Sequence, residues 1–330
     1  MDRTEAAGWL EQRLALRHRH GASLTKHAAA LALLAFLLFN CLFTKNFVAW
    51  ETFSNIFTQA TKVALVGLGM TLVIATGGID ISVGSAMGLG ATIAAISLVS
   101  GNFAGVVLSF VVVLAFGLLA GILTSRFSIL PLVSTLASAY IMRGLARGIS
   151  GRGTVTYNNP GLTNFFITPI VGRFPVQFFV LLISVVAMYL VVNRTKFGFD
   201  VEAYGNNPVA ARISGINTRR VTTICYVISA MFAWVSGILV MVMVSSTDPA
   251  RVGVDMELDA IAATVIGGTP ITGGHPNILG TVCGAFLLQL IIMMANMHNI
   301  PYAYSLMIKA GIILGRWFSI TYGTGSVEAA

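Results

Sequence analysis

Long apolar runs separated by short polar breaks organise this chain. The runs lie at about residues 28–43, 59–76, 84–99, 104–124, 129–147, 176–193, 221–244, 259–272, 278–297 and 302–318. Crossing about 30 Å of hydrocarbon takes roughly 20 apolar residues in a helix, so most of these runs predict a membrane-crossing helix. Three of them, 84–99, 129–147 and 259–272, fall short of a full crossing or are interrupted by Gly and Pro. A transmembrane barrel would show segments of about ten residues with alternating polarity, whereas these runs are continuous. The pattern predicts an all-α polytopic membrane protein of about ten transmembrane helices, with both termini on one side.

Composition agrees. Of 330 residues, 56% are apolar and 10% charged, and the mean hydropathy is +0.85. A soluble domain is about 25% charged, so too few charges are present to coat a soluble surface. Disorder is excluded by the apolar content. The net charge of +8 is read as basic cytoplasmic loops. Of the Lys and Arg residues, twelve fall on the side of the N-terminus and seven on the other, with Lys309 inside a span. This asymmetry places both termini in the cytoplasm. The predicted organisation is a basic tail over 1–27, a transmembrane domain over 28–320 with a cytoplasmic loop at 194–220, and a short tail over 321–330.

The basic tail followed by an apolar run could also describe a signal peptide. No small-residue cleavage site follows, so an uncleaved first helix is expected. Residues 9–20 (WLEQRLALRHRH) read either as a basic amphipathic surface helix or as a loose tail. Cys41, Cys225 and Cys283 sit in apolar runs with no CxxC spacing, and are expected to be buried free thiols.

The sequence contains an internal echo. VIATGGIDISVG at 73–84 and TVIGGTPITGG at 264–274 share an apolar run, a Gly-Gly, then a hydroxyl residue and a glycine. They end the second and eighth spans, an even separation, which predicts two parallel internal repeats about an axis along the membrane normal. Glycine breaks at matching positions of two repeats point to a transport path, and tight turns between helices would leave the same pattern. The path candidates are Gly77, Gly78, Asp80, Ser82, Gly267, Gly268 and Thr269.

Several chemistries are missing. No Lys follows a Gly, so there is no phosphate-binding P-loop. There is no HExxH, and the five histidines have no metal-ligand spacing. No GxSxG elbow occurs. No cofactor and no metal are expected, and the chain is not expected to be an enzyme. Its basic residues lack interleaved aromatics, so nucleic acid is not an expected partner; membrane lipid is.

The loop RTKFGFDVEAYGNNPVAARISGINTRR at 194–220 is the longest charged stretch between spans. A short helix is predicted between Glu202 and Gly215, with Asn207-Pro208 suiting its start and Gly215 its stop. Ala210, Ala211 and Ile213 would form one apolar face, a knob for a partner's groove; a solvated connector is the plainer reading. The loop 245–259, with Asp248, Arg251, Asp255, Glu257 and Asp259, reads as a solvated outer rim or a docking edge. Lys309 is an intramembrane charge, costing about 2.5–3.5 kcal/mol on insertion scales. It reads as part of a polar path, or as an ion pair or a snorkelling side chain. The pairs Gly84-xxx-Gly88, Gly117-xxx-Gly121 and Gly311-xxx-Gly315 permit close helix approach.

Three of these segments, GGIDISVG at 77–84, EAYGNNPVAARISGIN at 202–217 and ELDAIAATVIGGTPITGG at 257–274, resemble the permease subunits of bacterial ABC importers for monosaccharides. That family includes ribose, arabinose, xylose and galactofuranose systems. The resemblance covers about residues 50–320, and Lys309 matches a lysine the family often places in its last span. Ile81, Pro270 and His275-Pro276 depart from the family's usual residues. The resemblance implies a permease of the bacterial inner membrane that pairs with a second copy or a similar permease. Two cytoplasmic ATPase subunits would bind the ATP, and a periplasmic binding protein would deliver the sugar. It assigns ATPase coupling to Glu202, Gly205, Asn206, Ala210, Ala211, Ser214 and Gly215. Transport would proceed by alternating access. The same architecture could carry a branched-chain amino acid, a nucleoside or a signalling furanose. An ion-coupled secondary transporter is a further alternative, poorly supplied here because Asp80 and Asp259 lie near span ends.

Overall fold

The structure, a computed structural model, describes residues 29–44, 47–167, 174–301, 304, 307, 310 and 311. The tails at 1–27 and 321–330, residues 9–20 and Lys309 lie outside the described residues, as does most of the run 302–318.

Twelve helices are described: α1 (Ala29–Phe43), α2 (Trp50–Ala75), α3 (Val83–Val99), α4 (Ala104–Arg126), α5 (Pro131–Ile149), α6 (Pro160–Ile167), α7 (Val176–Arg194), α8 (Lys196–Asn206), α9 (Pro208–Ile213), α10 (Thr218–Val244), α11 (Met256–Ile266) and α12 (Ile278–Met297). Five of them, α2, α4, α7, α10 and α12, are long and apolar enough to cross a membrane, while α1 and α3 are apolar but shorter. The expectation of an all-α chain needs one amendment. Two-residue strands β1 (Val155–Thr156) and β2 (Ser246–Thr247) pair antiparallel, Val155 opposite Thr247. They pin the segment after α5 to the end of α10.

Helix α10 is the hub, packing on α4, α2 and α3. Small residues let the backbones meet. A methyl group built on Gly69 of α2 would lie 2.6 Å from Cα of Ser229, and one on Gly121 of α4 would lie 2.8 Å from Cα of Thr223. Close approach through small residues is the usual basis of helix association in lipid. On the far side of α2, edge-to-face rings join it to α7 and α12: Phe57 lies 5.5 Å from Phe178 and 5.3 Å from Phe286. Cys225 is buried and Cys283 half-buried, but Cys41 is exposed.

The two short helices are not surface-to-surface spans. At 1.5 Å per residue, α3 is about 26 Å long and α11 about 16 Å, against about 30 Å of hydrocarbon. Asp80, just before α3, bonds to Ser229, the twelfth residue of α10, about 16 Å beyond that helix's start. Helix α3 therefore begins well inside the bundle. The predicted run 259–272 shrinks to Met256–Ile266 because Gly267 and Gly268 end it, Gly268 with φ 97°. Nor is the 245–259 loop simply a solvated rim. Its Gly253 meets Gly84 backbone to backbone, leaving no room for a Cβ on either, and Val252 O lies 3.3 Å from the Cβ position of Gly88. Helices α3 and α11 thus begin side by side, joined through Gly84 and Gly253.

Candidate functional site

The first glycine segment leaves α2 in a turn. Gly77 takes φ 77°, a left-handed conformation that glycine adopts without cost. The chain then climbs to Asp80, which is 2% exposed. Its Oδ1 accepts from the Ser82 N–H (2.9 Å) and the Ser82 hydroxyl (2.6 Å), and its Oδ2 accepts from the Ser229 hydroxyl (2.8 Å). From the other side, the Thr135 hydroxyl of α5, which donates to Pro131 O (2.9 Å) of its own helix, accepts from Ile81 N–H (3.3 Å). The connection is thereby clamped between α5 and α10.

The second segment holds itself. Thr269 is buried, and its hydroxyl accepts from Asn277 N–H (3.0 Å). The Asn277 side chain donates to Gly267 O (2.8 Å) and accepts from Gly280 N–H (3.0 Å), capping α12. Among the path candidates, Asp80, Ser82 and Thr269 are thus buried with their polar atoms engaged. Gly267 is packed against Gly280 and Thr281.

The two segments converge at the 194–220 loop. Gly274 N–H donates to Ala75 O (2.9 Å), joining the end of one segment to the start of the other. A Cβ position on Gly273 lies 3.0 Å from Gly205 O and 3.2 Å from Gly77 N. Gly205 of α8 is wedged into this meeting point: a Cβ there would overlap Ala75 O and Gly274 N. Around it, His275 Nδ1 lies 2.8 Å from Glu202 Oε1, and Asn206 Nδ2 donates to Glu202 O (2.9 Å). The exposed His275–Glu202 pair contributes little stability but marks where α8 sits on the second segment.

The loop holds two helices rather than one. Asn207 (φ −153°, ψ 98°) is extended, as expected of a residue before proline, and its side chain caps α9 by accepting from Val209 and Ala210 N–H. The predicted single apolar face also divides. Ala211 is 3% exposed and turned inward, whereas Val209 (65%) and Ile213 (83%) point outward. Ser214 and Gly215 form the turn after α9, Gly215 with φ 81°.

Sequence reasoning missed Ser229, Tyr226 and Arg143, polar residues within apolar runs, and Asn277, which sits in the link just before α12. Arg143 of α5 donates through Nη1 to Val252 O (2.6 Å) and Pro249 O (3.1 Å), fixing the inserted loop before α11. Replacing Arg143 with Ala leaves two inward carbonyls without donors. Since hydrogen bonds to charged groups are worth about 1.5–3 kcal/mol, a loss of about that size is expected in detergent unfolding titrations, with Arg143→Lys recovering part. Equal stability of Arg143→Ala and the native chain would exclude the clamp.

Comparison with known proteins fits this arrangement. The family model described as branched-chain amino acid transport system, permease component, matches residues 52–315. The galactofuranose transporter permease protein YtfT of Escherichia coli K12 is 36% identical over 265 residues, 79% of this chain and 76% of its own length. The ribose import permease protein RbsC of the same strain is 29% identical over 306 residues, 89% and 92% of the two chains. The fructose import permease protein FruF of Bifidobacterium longum is 32% identical over 240 residues, 71% and 67%. No solved structure is significantly similar. With four-fifths of its length matched and its glycine segments and charged loop inside the match, this multi-pass membrane protein belongs to the family of branched-chain amino acid transport system permease components.

Proposed function

We propose that the chain is the membrane-spanning subunit of an ABC importer that moves a monosaccharide across the bacterial inner membrane by alternating access. The observation that carries this reading is the seating of α8 and α9. Their inner side, through Gly205, Glu202 and Asn206, rests on both glycine segments at once. Their outer side offers Val209 and Ile213 to a partner. A segment that is apolar outward and backbone-tight inward suits the transmission of a partner's motion to the bundle. The proposed motor is a pair of cytoplasmic ATPase subunits gripping 202–215. A second permease completes the path, and a periplasmic sugar-binding protein delivers cargo.

The architecture has about ten transmembrane helices in two parallel repeats, both termini cytoplasmic. Supporting the repeats, α2 leads through GGIDIS to α3 as α11 leads through GGTPITGG to α12. The names of the relatives favour a sugar over the amino acid in the family's description.

Vesicles containing this chain with its ATPase and binding protein test the reading. ATP-dependent accumulation of labelled ribose, fructose or galactofuranose is expected, and accumulation of leucine instead would overturn the cargo. The double substitution Ala211→Asp with Gly215→Asp is expected to abolish this uptake while leaving membrane insertion intact; full uptake would remove the coupling role from α9.

A further inference from the structure

A cavity of about 240 Å³ opens between the coupling segment and the first glycine segment. Its walls come from the ends of α2 and α4, the α4–α5 link, α8, α9 and the start of α10. Two guanidinium groups line it, Arg212 and Arg219, along with eight hydroxyl-bearing residues and no acidic side chain. Arg212 is steadied by donation from Nε to Thr218 (3.4 Å). Asp80 is not part of the wall, and its oxygens already accept from Ser82 and Ser229.

At the inner end stands Tyr226, buried, whose hydroxyl meets no partner at good hydrogen-bond geometry and has the Thr124 hydroxyl as its polar neighbour. The hydroxyl comes within 2.7 Å of the position a Cβ on Gly78 would take. A buried hydroxyl held only by a poorly aligned neighbour is under-satisfied, and at a cavity wall its proton is free to go to a better acceptor. The wall around it supplies excess positive charge and donors. Arginine forks match the oxygens of a phosphate in paired hydrogen bonds. Pockets for drug-sized ligands run about 300–1,000 Å³, so this one suits a smaller group.

From this geometry we propose that the cavity is a binding site for a phosphate monoester, held by Arg212 and Arg219 with Tyr226 donating to a phosphate oxygen. The phosphate belongs either to a small soluble ester or to an anionic lipid headgroup. Arg212 is on α9, Arg219 and Tyr226 are on α10, and Gly77 and Gly78 of the first glycine segment line the same cavity. An occupant therefore ties the coupling segment to the bundle and is expected to slow ATP-driven uptake. That consequence rests on the coupling role proposed above, while the binding itself does not.

The test uses the full chain alone in phosphatidylcholine nanodiscs, titrated calorimetrically with ribose 5-phosphate and inorganic phosphate at constant ionic strength. Ribose is the neutral control. A parallel set of discs containing phosphatidic acid is followed by thermal unfolding. The expected result is saturable binding of ribose 5-phosphate without binding of ribose. The affinity should fall at least tenfold in Arg212→Gln/Arg219→Gln and several-fold in Tyr226→Phe, which keeps the ring and its packing. Stabilisation by phosphatidic acid alone, lost in the double variant, would support the same site with lipid as the source. Binding that is unchanged in both variants, or no response to any phosphate probe, would overturn the proposal and leave the permease reading untouched.

Discussion

Gly205→Leu is expected to cut ATP-driven uptake by about 5- to 150-fold while the chain still inserts into the membrane. Position 205 is where α8 touches the end of α2 and the second glycine segment together, with no space for a Cβ between Ala75 O and Gly274 N. A side chain there must push α8 off the junction or break the Gly274–Ala75 hydrogen bond. Overpacking costs about 1–3 kcal/mol, which as a shift between two global states is about a 5- to 150-fold change. The helices that cross the membrane keep their own apolar faces, so insertion should be unaffected, while detergent stability should fall by no more than that overpacking cost. Gly144→Ala in α5 is the control, because open space surrounds that glycine. Uptake by Gly205→Leu at the level of Gly144→Ala would show that the wedge transmits nothing.

The same position explains what was and was not legible beforehand. The runs at 104–124, 176–193, 221–244 and 278–297 became helices within a few residues of their expected bounds, because in lipid the apolar run and the helix that satisfies its backbone are one physical requirement. Helix α8 stayed hidden since Gly198 and Gly205 lower its helix propensity. Both are present for close packing, against Val192 and against Ala75 and Gly274, and packing is a tertiary property. The charged loop's inward and outward residues are not separable from the sequence for a related reason. Spacing alone grouped Ala211 with Ile213, but two residues apart on a helix is about 200° of turn, and the structure turns one in and the other out. The glycine segments were recognisable as a pair, whereas their meeting through Gly274 and Ala75 joins residues 199 positions apart. No local pattern announces such a contact. His275, a departure from the family's usual residue, sits against Glu202 of α8.

Asp80→Ala is expected to be the most destabilising single substitution in the first glycine segment. The carboxylate is buried between α2, α3 and α10 and accepts three hydrogen bonds, two through Oδ1 and one through Oδ2. Each bond to a charged group is worth about 1.5–3 kcal/mol, so the loss should be about 3 kcal/mol or more. Ser229→Ala removes one of the three and should cost about 1.5–3 kcal/mol. Because the two residues share a bond, the double variant should show a coupling energy of about 0.5–3 kcal/mol rather than simple addition. Titrating the purified chain from native to denaturing detergent gives all four stabilities of the cycle. The outcome also separates two roles for the acid. A carboxylate that carried a coupling ion would tolerate Asp80→Asn in stability but lose gradient-driven transport. A carboxylate that fixes the α2–α3 connection should lose stability in Asp80→Asn as well, since the amide offers one acceptor oxygen where the acid offered two. Additive single effects, or an Asp80→Ala chain as stable as the native one, would remove Asp80 as the tie between the glycine segment and α10.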